Sequence, residues 1–203
     1  TFQPDAFLAF DAEVTIDLGK LQDPSGNALA ASGDRVPVVA DSGALTGNAG
    51  FESDLAGWLV FGEASTEGAF DGFAPAEGAA QAVVREDSML VTYLDVPAEA
   101  TEIDLSVTVL IDVPEFADDF TTVISLRRPG GELIEIFDAG DVEDQLQLCA
   151  ACTEFGSAVG PLRRTLDVTP YRGQRVFLTV DVRAFHFIGV EPVAALVDDI
   201  QIR

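Results

Sequence analysis

The chain has 203 residues, 48% of them hydrophobic, enough for one large domain or a domain with an appendage. Its 35 acidic and 11 basic residues leave a net charge of -24, a field that repels nucleic acid and anionic membranes and excludes both as partners. No apolar run reaches the length of a membrane span, so membrane insertion is not expected.

In chain order, the segment "AEVTIDLGKLQDPSGNALAA" reads as a strand followed by a turn at Asp23-Pro24-Ser25-Gly26-Asn27. The chain opens at Thr1 with neither methionine nor a signal pattern, as a mature or trimmed chain would. Small and polar residues interrupt the pattern at 41–47, "DSGALTG", which places a boundary there. Residues 1–44 are expected to be an extension or the end of a preceding domain, and residues 45–203 a module of their own.

Past that boundary, long amphipathic helical periodicity is scarce. Period-two or continuously apolar segments recur instead: "AAQAVV", "SMLVTYLDV", "TEIDLSVTVLID", "FTTVISLR", "ELIEIF", "RRTLDV", "QRVFLTVDVRAFHF" and "AALVDDIQI". Turns at Pro129-Gly130-Gly131 and Pro170-Tyr171-Arg172-Gly173 punctuate them. Many short strands with such turns indicate an all-β sandwich or barrel. In "TEIDLSVTVLID", alternation sends Ile103, Leu105, Val107, Val109 and Ile111 to the core and Asp104, Ser106, Thr108 and Asp112 outward, with Leu110 as an apolar exception. The last segment poses a problem. Uninterrupted alternation aligns Asp198 with Leu196, Ile200 and Ile202, and Asp199 with Val197 and Gln201. An ionised carboxylate in line with core positions needs a partner or a raised pKa.

The two cysteines, Cys149 and Cys152, lie in "LCAACTEFG". A redox motif of this spacing sits in a βαβ unit, which is not evident here, and a zinc site needs two further good ligands where His186 is the single histidine. A short structural disulfide is the expectation, and with it an oxidising compartment, extracellular or at the cell surface. The acidity has three readings: a solvating surface for a salty habitat, divalent-cation sites, or a face for a basic partner. Lys20 being the only lysine suits the first.

A non-core face is available for a ligand. Continued alternation projects Tyr93, Ser106, Thr108, Ser125, Arg127, Asp181 and Arg183 from it. A tyrosine with two arginines and an aspartate suits hydroxyls or a uronate carboxylate; the alternative, which the pattern favours, is that Asp181 and Arg183 are ordinary cross-strand charges. Tyr93 has the best claim to exposure, because Trp58 and Tyr171 fit packing roles. Catalysis is not expected. The chain has no Gly-x-Ser-x-Gly elbow and no His-Glu-x-x-His, and His186 alternates with core positions.

Four pieces, in order, resemble jelly-roll carbohydrate-binding modules of the galactose-binding-like type. They are "NAGFESDLAGW", "LVTYLDVPAEATEIDLSVTV", "TLDVTPYRGQRVFLTVDV" and "ALVDDIQI", so the resemblance covers about residues 45–203. It implies a jelly-roll β-sandwich that binds a polysaccharide or other glycan without acting on it. It also implies a structural calcium held by Glu52 and Asp198 at the sandwich edge, with the loop "PAEGAAQ" completing the shell and Glu77 as a further ligand. Calcium takes six to eight oxygen donors in irregular loops, which such a site can supply. The alternative at Asp198 is hydrogen bonding to loop amides without a metal. Ala49 stands where the family often has glycine. The N-terminal piece is similar to the end of a bacterial Ig-like domain, which implies a larger multidomain protein. The alternative function is a structural or adhesive module of a cell-surface protein with no sugar site.

Overall fold

The computed structural model describes residues 48–112, 120–128, 133–184 and 193–203. The expectations placed on residues 1–44, on Pro129-Gly130-Gly131 and on His186 lie outside them.

The described residues form an all-β jelly-roll sandwich of two antiparallel sheets. The strands are β1 (Glu52–Leu55), β2 (Leu59–Phe61), β3 (Ala64–Glu67), β4 (Gln81–Arg85), β5 (Ser88–Asp95), β6 (Glu102–Ile111), β7 (Phe120–Arg127), β8 (Leu133–Asp138), β9 (Gln147–Leu148), β10 (Ser157–Asp167), β11 (Arg175–Ala184) and β12 (Val193–Ile202). The first sheet runs β3-β4-β12-β6-β10-β9 and the second β2-β5-β11-β7-β8. Among the described residues, no helix is long and apolar enough to cross a membrane.

Alternation explains why these segments pack as they do. Ile103, Leu105, Val107, Val109 and Ile111 of β6 all enter the main core, as do Val176, Leu178, Val180 and Val182 of β11. Each such side chain withdrawn from water stabilises the fold by about 1.5–3 kcal/mol before entropy is counted. Trp58 and Tyr171 are buried in the same core, Trp58 stacked on Phe51 with ring centroids 5.2 Å apart. Asn48 holds the opening loop that delivers Phe51: its Nδ2 donates to the carbonyls of Asp54 (2.7 Å) and Ala56 (3.0 Å), and its Oδ1 accepts from the Ser53 amide (2.9 Å).

Leu110, the exception on β6, belongs to a second apolar cluster on the outer side of the first sheet. It joins Val83, Ala158, Ala194, Leu196 and Phe155, with Phe70, Phe73, Cys149 and Cys152 packed against them. Two loops therefore lie over that face. They are clasped by Asp71, whose Oδ1 accepts from the Thr153 amide, the Thr153 hydroxyl (2.8 Å) and the Glu154 amide (3.0 Å), while its Oδ2 accepts from the Phe155 amide (3.0 Å). Burial alone would raise the Asp71 pKa, but these donors outweigh it and hold the carboxyl below its ordinary value. Cys149 and Cys152 form the expected disulfide within one of the loops, their Cα atoms 5.4 Å apart.

Candidate functional site

The closing strand departs from simple alternation. Asp198 pairs with Ser106, but Gln201 pairs with Asp104, so β12 carries one residue more than β6 across this step. The extra residue makes a β-bulge, with Asp199 in the left-handed region at φ 51°. The bulge switches the face parity. Val193, Ala195 and Val197 point into the main core before it, and Ile200 does so after it, with Ile202 packed against that core. Leu196 and Ala194 point outward. The expectation that Leu196, Asp198, Ile200 and Ile202 share one face is thus corrected: Asp198 lies on the outer face with Leu196. It is nevertheless only 2% exposed, because the 76–80 loop reaches it.

The bulge also brings the opening segment to the closing strand. The Ile200 amide donates to the Ala49 carbonyl at 3.2 Å. A Cβ on Gly50 would lie 3.9 Å from Asp198 Oδ1 and 4.0 Å from Glu52 Cγ, so the two carboxylate side chains border the same glycine. Both dock on one loop. Glu52 Oε1 accepts from the amides of Ala79 (2.7 Å) and Ala80 (3.1 Å), and Asp198 Oδ2 accepts from the Glu77 amide (2.9 Å). Asp198 Oδ1 accepts from the Asp199 amide at 2.7 Å. Gly78 is required here, since at φ 65° its Cβ would come within 2.1 Å of Glu52 Oε1. Burial pushes the Asp198 pKa up; the amides of Glu77, Asp199 and Ala76 oppose that and do not fully offset it.

Glu77 contributes its backbone amide to Asp198, but its side chain turns to Asp199. The hydrogen bond and charge of Asp199 raise the Glu77 pKa. For Asp199, burial works upward, while hydrogen bonds from Arg163, Gln201 and Glu77 prevail and lower it. Arg163 also lies 3.6 Å from Asp104, which Arg203 approaches at 3.3 Å. The donors around Gly50 are hard oxygens of the type calcium accepts. Among the described residues, no group of three or more His, Cys, Asp or Glu side chains converges as a metal site.

The outer face of the second sheet collects the other candidate residues. Register sets Tyr93, Phe177 and Arg127 side by side across β5, β11 and β7, and Val91, Thr179 and Ser125 in the adjacent row. The row after that contains Phe61, Met89, Asp181 and Val123, with Arg183 one step beyond on β11. Tyr93, Arg127, Asp181 and Arg183 therefore do share one non-core face. The expected exposure of Tyr93 is corrected: the residue is 4% exposed, its ring 5.4 Å from Phe177 and under the Arg175 guanidinium at 5.1 Å. Two ion pairs lie on this face. Arg183 donates to Asp181 through Nε (3.1 Å) and Nη2 (2.5 Å), and Arg175 to Asp95 through Nε (2.6 Å) and Nη2 (2.8 Å). Ser125 and Thr179 hydroxyls lie 2.7 Å apart.

Sequence reading passed over Phe61. It is 53% exposed, on the edge strand β2, and weighing only tyrosine and tryptophan left it among fourteen phenylalanines. Its signal was available in "WLVFGEA", where the phenylalanine sits two residues from the glutamate and next to a glycine.

No family model matches the chain, and no curated protein matches it. Solved structures do resemble it in fold. TmCBM61 in complex with β-1,4-galactotriose is 14% identical, with 77% of this chain and 95% of that one covered and a TM-score of 0.48. The K1 cleaved adhesin domain of Lys-gingipain from Porphyromonas gingivalis W83 is 10% identical, with 76% and 95% covered and a TM-score of 0.46. The enzymatically active domain of bacteriophage CBA120 tailspike protein 4 is 12% identical, with 77% and 21% covered and a TM-score of 0.41.

Proposed function

We propose that the sandwich is a non-catalytic carbohydrate-binding module, working outside the cell and carrying a structural calcium. The observation that carries the reading is the outer face of the second sheet. It carries arginines, carboxylates and hydroxyls in rows beside the exposed ring of Phe61, the mixture that hydrogen-bonds sugar hydroxyls while resting on their carbon faces. Ion pairs such as Asp181–Arg183 and Asp95–Arg175 hold these groups in place before a ligand arrives, which lowers the ordering cost of binding. The disulfide supports an oxidising location.

Calcium would be held at the edge where the side chains of Glu52 and Asp198 border Gly50, in exchange for part of their hydrogen bonds to backbone amides. It would allow the buried Asp198 to remain ionised. Glu77 would join the shell only by exchanging Asp199 for the ion. The ion's part is to brace the opening and closing segments; recognition belongs to the sheet face.

A second reading, a structural or adhesive module with no sugar site, is favoured by one observation: Arg175 and Arg183 are engaged by the face's own aspartates, and Tyr93 and Phe177 are buried. A glycan array probed with the protein in calcium and in EDTA separates the readings. Glycan binding is expected in both conditions, with lower thermal stability in EDTA. Absence of binding to every glycan favours the adhesive module.

A further inference from the structure

The exposed edge of the second sheet points to where, and to what kind of sugar, this module binds. Of the aromatic rings whose burial is described, Phe61 is exposed and the others are buried or half-buried. Scattered single apolar residues on a surface need no explanation. Phe61 is not scattered. It stands opposite Met89, with Leu59 opposite Val91 in the next row, so a shelf of carbon surface runs from β2 onto β5. Val60, on the other face of the same short strand, is 41% exposed as well.

The next strand inward ends that shelf with fixed polar groups. Asp181 is the β11 neighbour of Met89, and Thr179 that of Val91. Two strand spacings separate Phe61 from Asp181, about 10 Å, roughly the reach of a ring stacked on Phe61 and the hydroxyls extending from it. Asp181 is gripped by Arg183, and its side chain keeps 24% of its surface exposed while that of Arg183 keeps 63%. Such a pair can accept and donate hydrogen bonds to neighbouring hydroxyls without moving.

Charge decides the sugar class. Asp95, Asp181, Asp138 and Glu135 lie along these rows with Arg127, Arg175 and Arg183, so acids outnumber arginines, and Arg183 and Arg175 are matched to Asp181 and Asp95. Burial and the charges of Asp138 and Asp141 work to raise the Glu135 pKa, so the far edge of this face, on β8, already holds crowded negative charge. The chain as a whole carries -24. A uronate or sulfated sugar would enter against that field.

Building on the carbohydrate-binding reading, we infer that Phe61 is the stacking platform of the site and that its ligand is a neutral pyranose chain, with Asp181 and Arg183 binding the hydroxyls of the stacked ring.

Affinity electrophoresis and calorimetry with the whole chain would test this against neutral cello-, xylo-, manno- and β-1,4-galacto-oligosaccharides, and against oligogalacturonate of equal length. Phe61→Ala should weaken the best neutral ligand at least tenfold and leave the melting temperature within a degree or two, while Phe61→Trp should retain or improve binding. Preference for oligogalacturonate overturns the neutral-sugar assignment. Unchanged neutral-glycan binding in Phe61→Ala overturns the platform and leaves the carbohydrate-binding reading standing. A wild-type chain that binds none of the probes overturns both. Sedimentation of wild type and Phe61→Ala completes the test: a dimer lost on substitution, with glycan affinity unaltered, makes Phe61 a contact between copies and overturns the proposal.

Discussion

The outer faces of the two sheets have been used in opposite ways. Over the first sheet, two loops lie on Leu110, Ala194 and Leu196, and a disulfide and a four-donor aspartate clasp hold them there. Over the second, pairs of side chains engage each other within the plane of the sheet, in two ion pairs, a hydroxyl pair and tilted rings. One face behaves as additional core. The other is a pre-arranged polar surface with an apolar margin at Phe61. A sandwich needs only its inner faces apolar, so an apolar outer face must be roofed, whereas a polar one can remain available to a ligand.

Substitutions should expose this contrast, and the largest effect belongs to the roof. Phe155→Ala removes a buried ring from the outer cluster and should lower stability by about 3–4 kcal/mol in a denaturant titration. A loss near zero would mean the loop does not roof the sheet.

Calcium comes next. Saturation at one hundred times Kd should stabilise the wild type by about 2.7 kcal/mol. Asp198→Asn should abolish most of that gain, while Asp199→Asn at matched ionic strength should keep it. Equal responses in both variants and the wild type would reduce the effect to screening of a highly acidic surface.

The clasp should follow at about 2 kcal/mol for Asp71→Ala, the scale of hydrogen bonds to a charged acceptor. Its pH dependence has a definite sign. The folded carboxyl titrates below its unfolded value, so the stabilisation is present above the ordinary carboxylate range and is lost as pH falls through the lowered folded value. Asp71→Asn should flatten that part of the acid limb. The smallest stability effect is expected on the polar face, where Arg183→Ala breaks an exposed ion pair and should change stability by about 0.5 kcal/mol or less while weakening glycan binding. A loss of several kcal/mol there would make that face structural too.

Most of the sandwich could be read in advance because alternation reports which side chains leave water. The core positions of β6, the extent of β7 and the outward exception Leu110 follow from it directly. The short strand β1 and the edge strands β2 and β3 are not legible, since three or four residues carry too little pattern. Alternation puts Tyr93, Arg127, Asp181 and Arg183 on one side of their strands, as the register also has them, but it says nothing of what packs against a face, so the burial of Tyr93 is illegible in it. The bulge at Asp199 was hidden for a related reason. Both parities of "LVDDIQI" look plausible until the extra residue is counted. The docking of Glu52 and Asp198 on the 76–80 loop was legible only through resemblance to a family.

The aspartate pair of β12 has one more consequence, for how the chain reaches this fold. Val193 to Val197 is an uninterrupted apolar run, and β12 inserts between β4 and β6, pairing Val197 with Ala82 far back in the sequence. Such long-range pairing forms slowly, leaving the run unpaired while it waits. Two adjacent negative charges directly after it are what a gatekeeper against intermolecular strand stacking looks like. The carboxylates that shape the finished edge would thus also keep nascent chains apart.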